Sequence, residues 1–541
     1  MDSKGGDRLA KLLAHSNDEF KIMLDAFLTG RNELSREALV ADLIKLQATL
    51  RAGETLSPEK AFEWFRKSAT EGDAEAQYYL GRCYYDGRGV EKDYAKAFEW
   101  YSKSAAQGNA KGQSGLGNCY YTGRGVSRDY GQAYQWYSKS AAQGDASGQC
   151  GLGNCYSYGK GVEEDEKKAF DWYSLSARQG NANAQNNLGD CYFYEQGVDQ
   201  DFKQALEWYT KSAELGLATA QTNVGDCYYY GRGAEKDYQK AYEWYSKSAS
   251  QGHARGQNAL GDCYFYGRGV ARDFKRAFEW YSRSAAQGDS DAQKNLGDCY
   301  YYGHGVEQDY KKAFEWYSKS AEQGNEDGQN GLGECYYNGY GVEQDYTKAF
   351  EWFSKSAAED NAWAQNGLGN CYFYGHGVEQ DYKLAIEWYS KSAAQGNSDA
   401  QNNLGYCYYF GKGVDRNYEE AFMWYSKSAA ADNAWAQNGL GNCYYYGNAV
   451  DQDYKEAVVW YSKSAEQSNG FAQYNLGKCY YHGHERVNAC RLCHTPTTPP
   501  PTGREPIHPR KPPTLSLGGE GFEIRVFKPE EHTVVSPRWR G

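Results

Sequence analysis

Proline is almost absent from the body of this chain. Of its 11 prolines, ten fall within residues 485–541 and one, Pro58, lies before them. Residues 59–484 therefore carry nothing that would break a helix through a locked ring. Long apolar runs are missing too. Nowhere do about 18 apolar residues follow one another, so no membrane span is expected. The N-terminal stretch MDSKGGDRLAKLLAHSNDEF has no apolar core of signal-peptide length. Asp2 after Met1 excludes N-myristoylation, and the ending Pro-Arg-Trp-Arg-Gly is no prenylation box. There is no basic excess: 59 Lys and Arg stand against 71 Asp and Glu, a net charge of −12. Residues 485–541 hold nine of the basic and six of the acidic residues, which leaves the rest at about −15. Nucleic acid is a poor partner for such a surface, because phosphate binding needs positive charge. A basic or neutral protein partner suits it, and the plain expectation is a cytoplasmic protein.

What the chain does have is a repeat. Tryptophan falls at 64, 100, 136, 172, 208, 244, 280, 316, 352, 388, 424 and 460, a step of 36 with no slip. A cysteine ladder from Cys83 to Cys479 keeps the same step. A period of this length signals a repeat array in which each unit buries its apolar face on its neighbours. Equivalent cysteines sit on helices about 8–10 Å apart, beyond the roughly 7 Å that a disulfide tolerates. They read as buried thiols that fill small apolar gaps in a reducing compartment.

One unit runs from Asn109 to Gly144. Asn109 is a natural N-cap for a first helix, A, whose apolar face is Leu116, Cys119 and Tyr120, with Gly117 allowing a close approach. The turn Gly123-Arg124-Gly125-Val126 ends it. Asp129 then caps a second helix, B, in which Ala133, Trp136, Tyr137, Ser140 and Ala141 share one face. Both helices span about 12 residues and need tertiary packing to persist. A fully buried Trp removes ~150–250 Å² from water, roughly 4–6 kcal/mol, so the tryptophan ladder is expected to be the interface anchor. The array starts with a lone B helix capped by Ser57, with Pro58 in its first turn. Residues 1–56 read as an N-terminal helical cap or docking segment, 57–484 as the array of about 11–12 repeats, and 485–541 as a Pro-rich disordered tail.

The pattern Ala292, Leu296-Gly297, Tyr300, Gly303, Gly305-Val306, followed by Asp309, Ala313, Trp316-Tyr317 and Lys319, resembles the Sel-one-like repeat, a relative of the tetratricopeptide repeat. The resemblance covers about 57–484. It implies an all-α fold, an α/α superhelix (solenoid) of antiparallel helix pairs, right-handed in its stacking. It also implies an adaptor that gathers other proteins, as branches serving membrane-protein degradation, chitin-synthase activation, bacterial virulence and signalling do. Departures are local: Glu195 for a turn glycine, Glu166 after Asp165, Leu217 and His253 at A-helix caps, and Asn448-Ala449 in the last full turn.

Function must lie where the units differ. In helix A one slot carries Asn186, Asn258, Asn330, Asn366, Asn402 and Asn438 among others. Four residues on, along the same face, come Asp190, Asp226, Asp262, Asp298 and Glu334 in consecutive units. Trp363, Trp435 and Phe471 stand at a third variable position, and exposed aromatics there would act as interface anchors or pack on a neighbouring helix. This stripe of amides and carboxylates suits an extended or basic protein segment; a solvated helix face is the plainer alternative. The chain is expected to be a non-enzymatic scaffold binding such segments on a concave face. A regulatory activator subunit of an enzyme complex, of chitin-synthase or protein-degradation type, is the alternative.

Catalytic readings are weak. The carboxylates recur as caps, and Ser57-Pro-Glu-Lys60 matches a serine β-lactamase nucleophile motif without its partner motifs. No phosphate loop occurs, and the Gly-x-Gly turns follow helices instead of strands. No cofactor or metal is assigned. In the tail, Cys490-Arg-Leu-Cys493-His494 has the spacing of a haem attachment site or part of a zinc knuckle. Pro506-Ile-His-Pro509-Arg-Lys511 fits a polyproline ligand. A misread gene end would also account for the break after Gly483.

Overall fold

A computed structural model describes residues 57–483. The N-terminal segment 1–56 and the whole Pro-rich tail 485–541, with the tail motifs, lie outside the described residues. Among the described residues there are 24 α-helices and no strand, from Pro58–Thr70 to Gly470–Tyr481. The first is a B helix; A and B helices then alternate, and each pair occupies one 36-residue step.

The expected caps form. Asn109 Oδ1 accepts the Gly112 N–H at 2.7 Å and Asp129 Oδ1 the Gln132 N–H at 2.9 Å. Ser57 accepts from Lys60 N–H at 3.4 Å, with Pro58 in the first turn. This bond accounts for the Ser-x-x-Lys string as a helix start. The departures act as local variations. Leu217 makes no side-chain cap, whereas the His253 ring takes over the cap by accepting Gly256 N–H at 3.2 Å. Glu195 is forced into the left-handed region, φ 64°, where the other units mostly place glycine. The second turn glycine has a separate task. A Cβ on Gly125 would stand 2.1 Å from the Tyr94 carbonyl oxygen of the preceding B helix, so the turn seats directly on its neighbour.

Each junction buries the same set, for example Ala133, Tyr137, Ala141, Leu152 and Cys155. All thirteen cysteines of the described residues, the ladder plus Cys150, are buried and none forms a disulfide. Burial pushes thiols of the ladder up, to about 12 for Cys119 and Cys155. Polar staples run beside the apolar core. Ser140 Oγ donates to the Ala110 carbonyl at 2.8 Å, and Gln143 Nε2 to Gln113 Oε1 at 2.8 Å, a pattern repeated along the array.

The tryptophan ladder is not the deep anchor. Trp136 packs at the edge of the cluster Ala97, Tyr101, Leu116 and Cys119 but is only half-buried, and Trp64 is 46% exposed. A basic side chain three residues on covers the outer face of most of these rings, as Lys247 does 3.7 Å above Trp244 and Arg283 4.4 Å above Trp280. The next residue is the buried one. Tyr245, Tyr281 and Tyr389 are each 2% exposed, because Tyr continues the Ala-x-x-x-Tyr line that faces helix A while Trp sits on its rim. Gly117 permits this approach: a Cβ there would lie 2.8 Å from the Tyr137 ring.

Successive A helices also touch one another, as Ala110–Thr122 touches Ala146–Ser157, while B helices reach no comparable contact. The A row therefore lies on the inside of the curve, and its variable positions form the inner face.

Candidate protein-binding face

The five carboxylates expected along the A row lie on this inner face and are half-buried. Four of them serve the fold as well. Asp190, Asp226, Asp262 and Asp298 each accept, at 2.7 Å, the phenol of the buried tyrosine nineteen residues on: Tyr209, Tyr245, Tyr281 and Tyr317. The phenol bond makes this variable slot part of the packing between helices, which a merely solvated helix face would not be. In other units the amides of Asn154, Asn370 and Asn442 accept the same phenol at 2.8 Å. Charge is therefore not required for the bond. Glu334 alone among the five has no phenol, because Phe353 replaces the tyrosine.

Burial sets the electrostatics of the row. Desolvation lifts Asp190 to about 6 and Asp262 and Glu334 to about 7, and it raises Asp226 despite the nearby Arg255. Arg255 pairs with Asp226 across the unit boundary, and Lys294 pairs with Asp298 at 2.9 Å. Further acids flank the row. Asp291, Asp327 and Asp399 accept from the cap amides of Asn325, Asn361 and Asn433 at 2.7–2.8 Å. The sequence held a signal for the Asp226–Arg255 pair, opposite charges at 29-residue spacing, but only the superhelical stacking of units gives that spacing meaning.

The amides form a ladder. Asn258 Oδ1 accepts from Asn295 and Asn366 Oδ1 from Asn403, each at 3.0 Å. Asn330 Oδ1 is buried with no partner. Trp363 is 43% exposed on the inner face. Trp435 is half-buried and packs against Phe471 with centroids 5.6 Å apart, so the neighbour-packing alternative applies to it. Sequence position thus brings Asp190, Asp226, Asp262, Asp298, Glu334, Asn258, Asn330, Asn366 and Trp363 to one continuous face, with Trp435 farther along it.

Among the described residues no cluster of His, Cys, Asp and Glu could hold a metal ion, and no helix is long and apolar enough to cross a membrane. No curated protein matches the chain. A protective antigen of uropathogenic Escherichia coli strains with an SLR fold is 38% identical; the match covers 79% of this chain and 91% of that one, with a TM-score of 0.58. A Sel1 repeat protein from Oxalobacter formigenes is 31% identical over 58% of this chain and 93% of its own, TM-score 0.41. The family model described as "Sel1 repeat" matches in thirteen consecutive segments, residues 52–73, 74–109, 110–145, 146–181, 182–217, 218–253, 254–289, 290–325, 326–361, 364–397, 398–433, 436–469 and 470–489. With that coverage and that fold, the chain belongs to the Sel1 repeat family.

Proposed function

We propose that the chain is a non-enzymatic adaptor that holds an extended, basic segment of a partner protein along its A row. The repeat fold is one that commonly mediates protein–protein interaction. The observation that carries the finer reading is the run of five carboxylates, Asp190 to Glu334, at one inner position of consecutive units. Two intramolecular cations, Arg255 and Lys294, offset part of this charge. The flanking Asp291, Asp327 and Asp399 more than restore it, so the field favours Lys- and Arg-bearing segments and opposes phosphate. Amides beside the carboxylates, half-buried at Asn258 and Asn330, offer donors to an extended backbone. Buried cysteines that form no disulfide go with a reducing compartment.

Photo-crosslinking tests the location. A photoreactive phenylalanine at Trp363 should form adducts with a Lys-rich nonapeptide, whereas one at Glu279, exposed on a B helix, should not. Equal labelling at both positions would remove the inner face from the account.

A further inference from the structure

Glu334 differs from the four aspartates before it. Asp190 and Asp226 lie in the field of Arg255, Asp262 in that of Lys294 and Arg268, and Asp298 pairs with Lys294. The charges that bear on Glu334 are those of Asp298 and Asp399, both negative. The neighbouring Asn330 amide favours its charged form.

Two neutral donors that serve this position in other units are deleted here. The first is the phenol, lost at Phe353. The second is an amide. Asn223, Asn295, Asn403 and Asn475 each donate at 3.0 Å to the slot residue of the previous unit, Asn186, Asn258, Asn366 and Asn438. Three of these amides also lie 3.4–3.5 Å from the neighbouring Asp262, Asn370 or Asn442. The equivalent residue facing Asn330 and Glu334 is Gly367. That substitution explains why Asn330 Oδ1 is buried without a partner. One carboxyl and one amide oxygen are thus left without the donors that other units supply, beside the Phe353 ring, which lies 3.0 Å from where a Cβ on Gly367 would stand.

Three units earlier, the chain shows a guanidinium seated at the corresponding carboxylate. The Arg255 guanidinium pairs with Asp226 and also donates to Asn223 Oδ1 at 3.1 Å. Asp226 is the counterpart of Glu334, and the counterpart of Arg255 is Trp363. Trp363 lies one turn before Gly367 on the same face and is 43% exposed. The internal arginine has been replaced by an aromatic surface on which a guanidinium stacks.

We propose that Glu334, Asn330 and Trp363, with Gly367 and Phe353 withholding the internal donors, form a receptor site for one arginine side chain of the bound segment. The guanidinium donates to the Glu334 carboxylate and to Asn330 Oδ1 and lies over the Trp363 ring. This rests on the reading of the A row as a segment-binding face. It adds a defined position along that face and a preference for arginine over lysine, whose single ammonium cannot span two acceptors while stacking.

The test is fluorescence anisotropy of the full chain with labelled nonapeptides of Lys, Ser and Gln that carry one central Arg. The comparison peptides carry citrulline or Lys at that place. The Arg peptide should bind at least about tenfold more tightly than its citrulline twin, the size of one hydrogen bond to a buried charged group. Glu334→Gln should erase that preference. Trp363→Arg should erase it too, by supplying internally the guanidinium that Asp226 receives from Arg255. Phe353→Tyr restores a donor to Glu334 and should weaken the preference several-fold; circular dichroism on each variant verifies the fold. Equal binding of the Arg and citrulline peptides, or a preference that survives both Glu334→Gln and Trp363→Arg, overturns the site and leaves the segment-binding face standing. If no peptide of the set binds the wild type, the face and the site fall together.

Discussion

Tyr281 occupies the space that Gly261 leaves: a Cβ on Gly261 would stand 2.5 Å from the Tyr281 ring. The same fit recurs at every complete unit, and it moves the structural weight of the repeat from the tryptophan to its neighbour. Tyr281→Ala should then cost ~3–5 kcal/mol, as large buried rings do. Trp280→Ala should cost about 1–2 kcal/mol, in keeping with a half-buried ring. Urea denaturation of the two variants compares them, and the reverse order would contradict the assignment.

The glycine side of the fit is separable. Gly297 faces the Tyr317 ring at 2.6 Å, whereas its counterpart in the last helix, Gly477, has nothing within 4 Å. Gly297→Ala should destabilise by about 1–3 kcal/mol through overpacking. Gly477→Ala should leave the melting temperature unchanged or raise it, since alanine is favoured by ~1 kcal/mol in an unobstructed helix. A matched loss at both sites would show that the ring contact is not what selects glycine.

Acidity should stabilise the array over a defined window. Asp190, Asp262 and Glu334 have folded-state values of about 6 to 7, above those of the unfolded chain. The folded state therefore binds more protons, and this stability is complete below about pH 4 and lost as pH rises through about 6 to 7. His253, pushed down by burial, acts in the opposite sense. Thermal melts from pH 5 to 8 should show the melting temperature rising on acidification. Asp190→Asn with Asp262→Asn should flatten the slope. A slope that the double variant leaves intact would assign the effect to other groups.

The buried thiols should be inert. Burial alone raises Cys119, Cys155 and Cys371 to about 12, so few thiolates exist at pH 8. Alkylation of native protein should leave the ladder unmodified. Alkylation under denaturing, non-reducing conditions should label all of it, and any oxidised pair found there would revise the compartment assignment.

Periodicity made the fold legible. Asn109, Asp129 and Gly123 each announce a helix boundary through local chemistry, and the structure places those boundaries accordingly. Tryptophan misleads because residue size does not fix burial depth. One step along a helix turns a side chain by about 100°, which separates the rim position of Trp136 from the buried position of Tyr137. The inner face was legible as a row of variable positions. Its hydrogen-bonding partners were not, because they join residues 19, 29, 33 and 37 apart, spacings that depend on how units stack. Gly367 and Phe353 carried no signal on their own; each matters only as the absence of a donor that other units supply.

The central claim is that the charge of the A row selects a basic segment. The direct measurement is the affinity of a labelled Lys-rich nonapeptide for the wild type and for a triple variant, Asp190→Asn, Asp262→Asn and Asp298→Asn, at two ionic strengths. Asparagine accepts the tyrosine phenol at Asn154, Asn370 and Asn442, so the variant keeps its fold and loses only charge. The account predicts wild-type binding that weakens as salt rises and is lost in the triple variant. Binding of equal strength to both proteins, unchanged by salt, would contradict it.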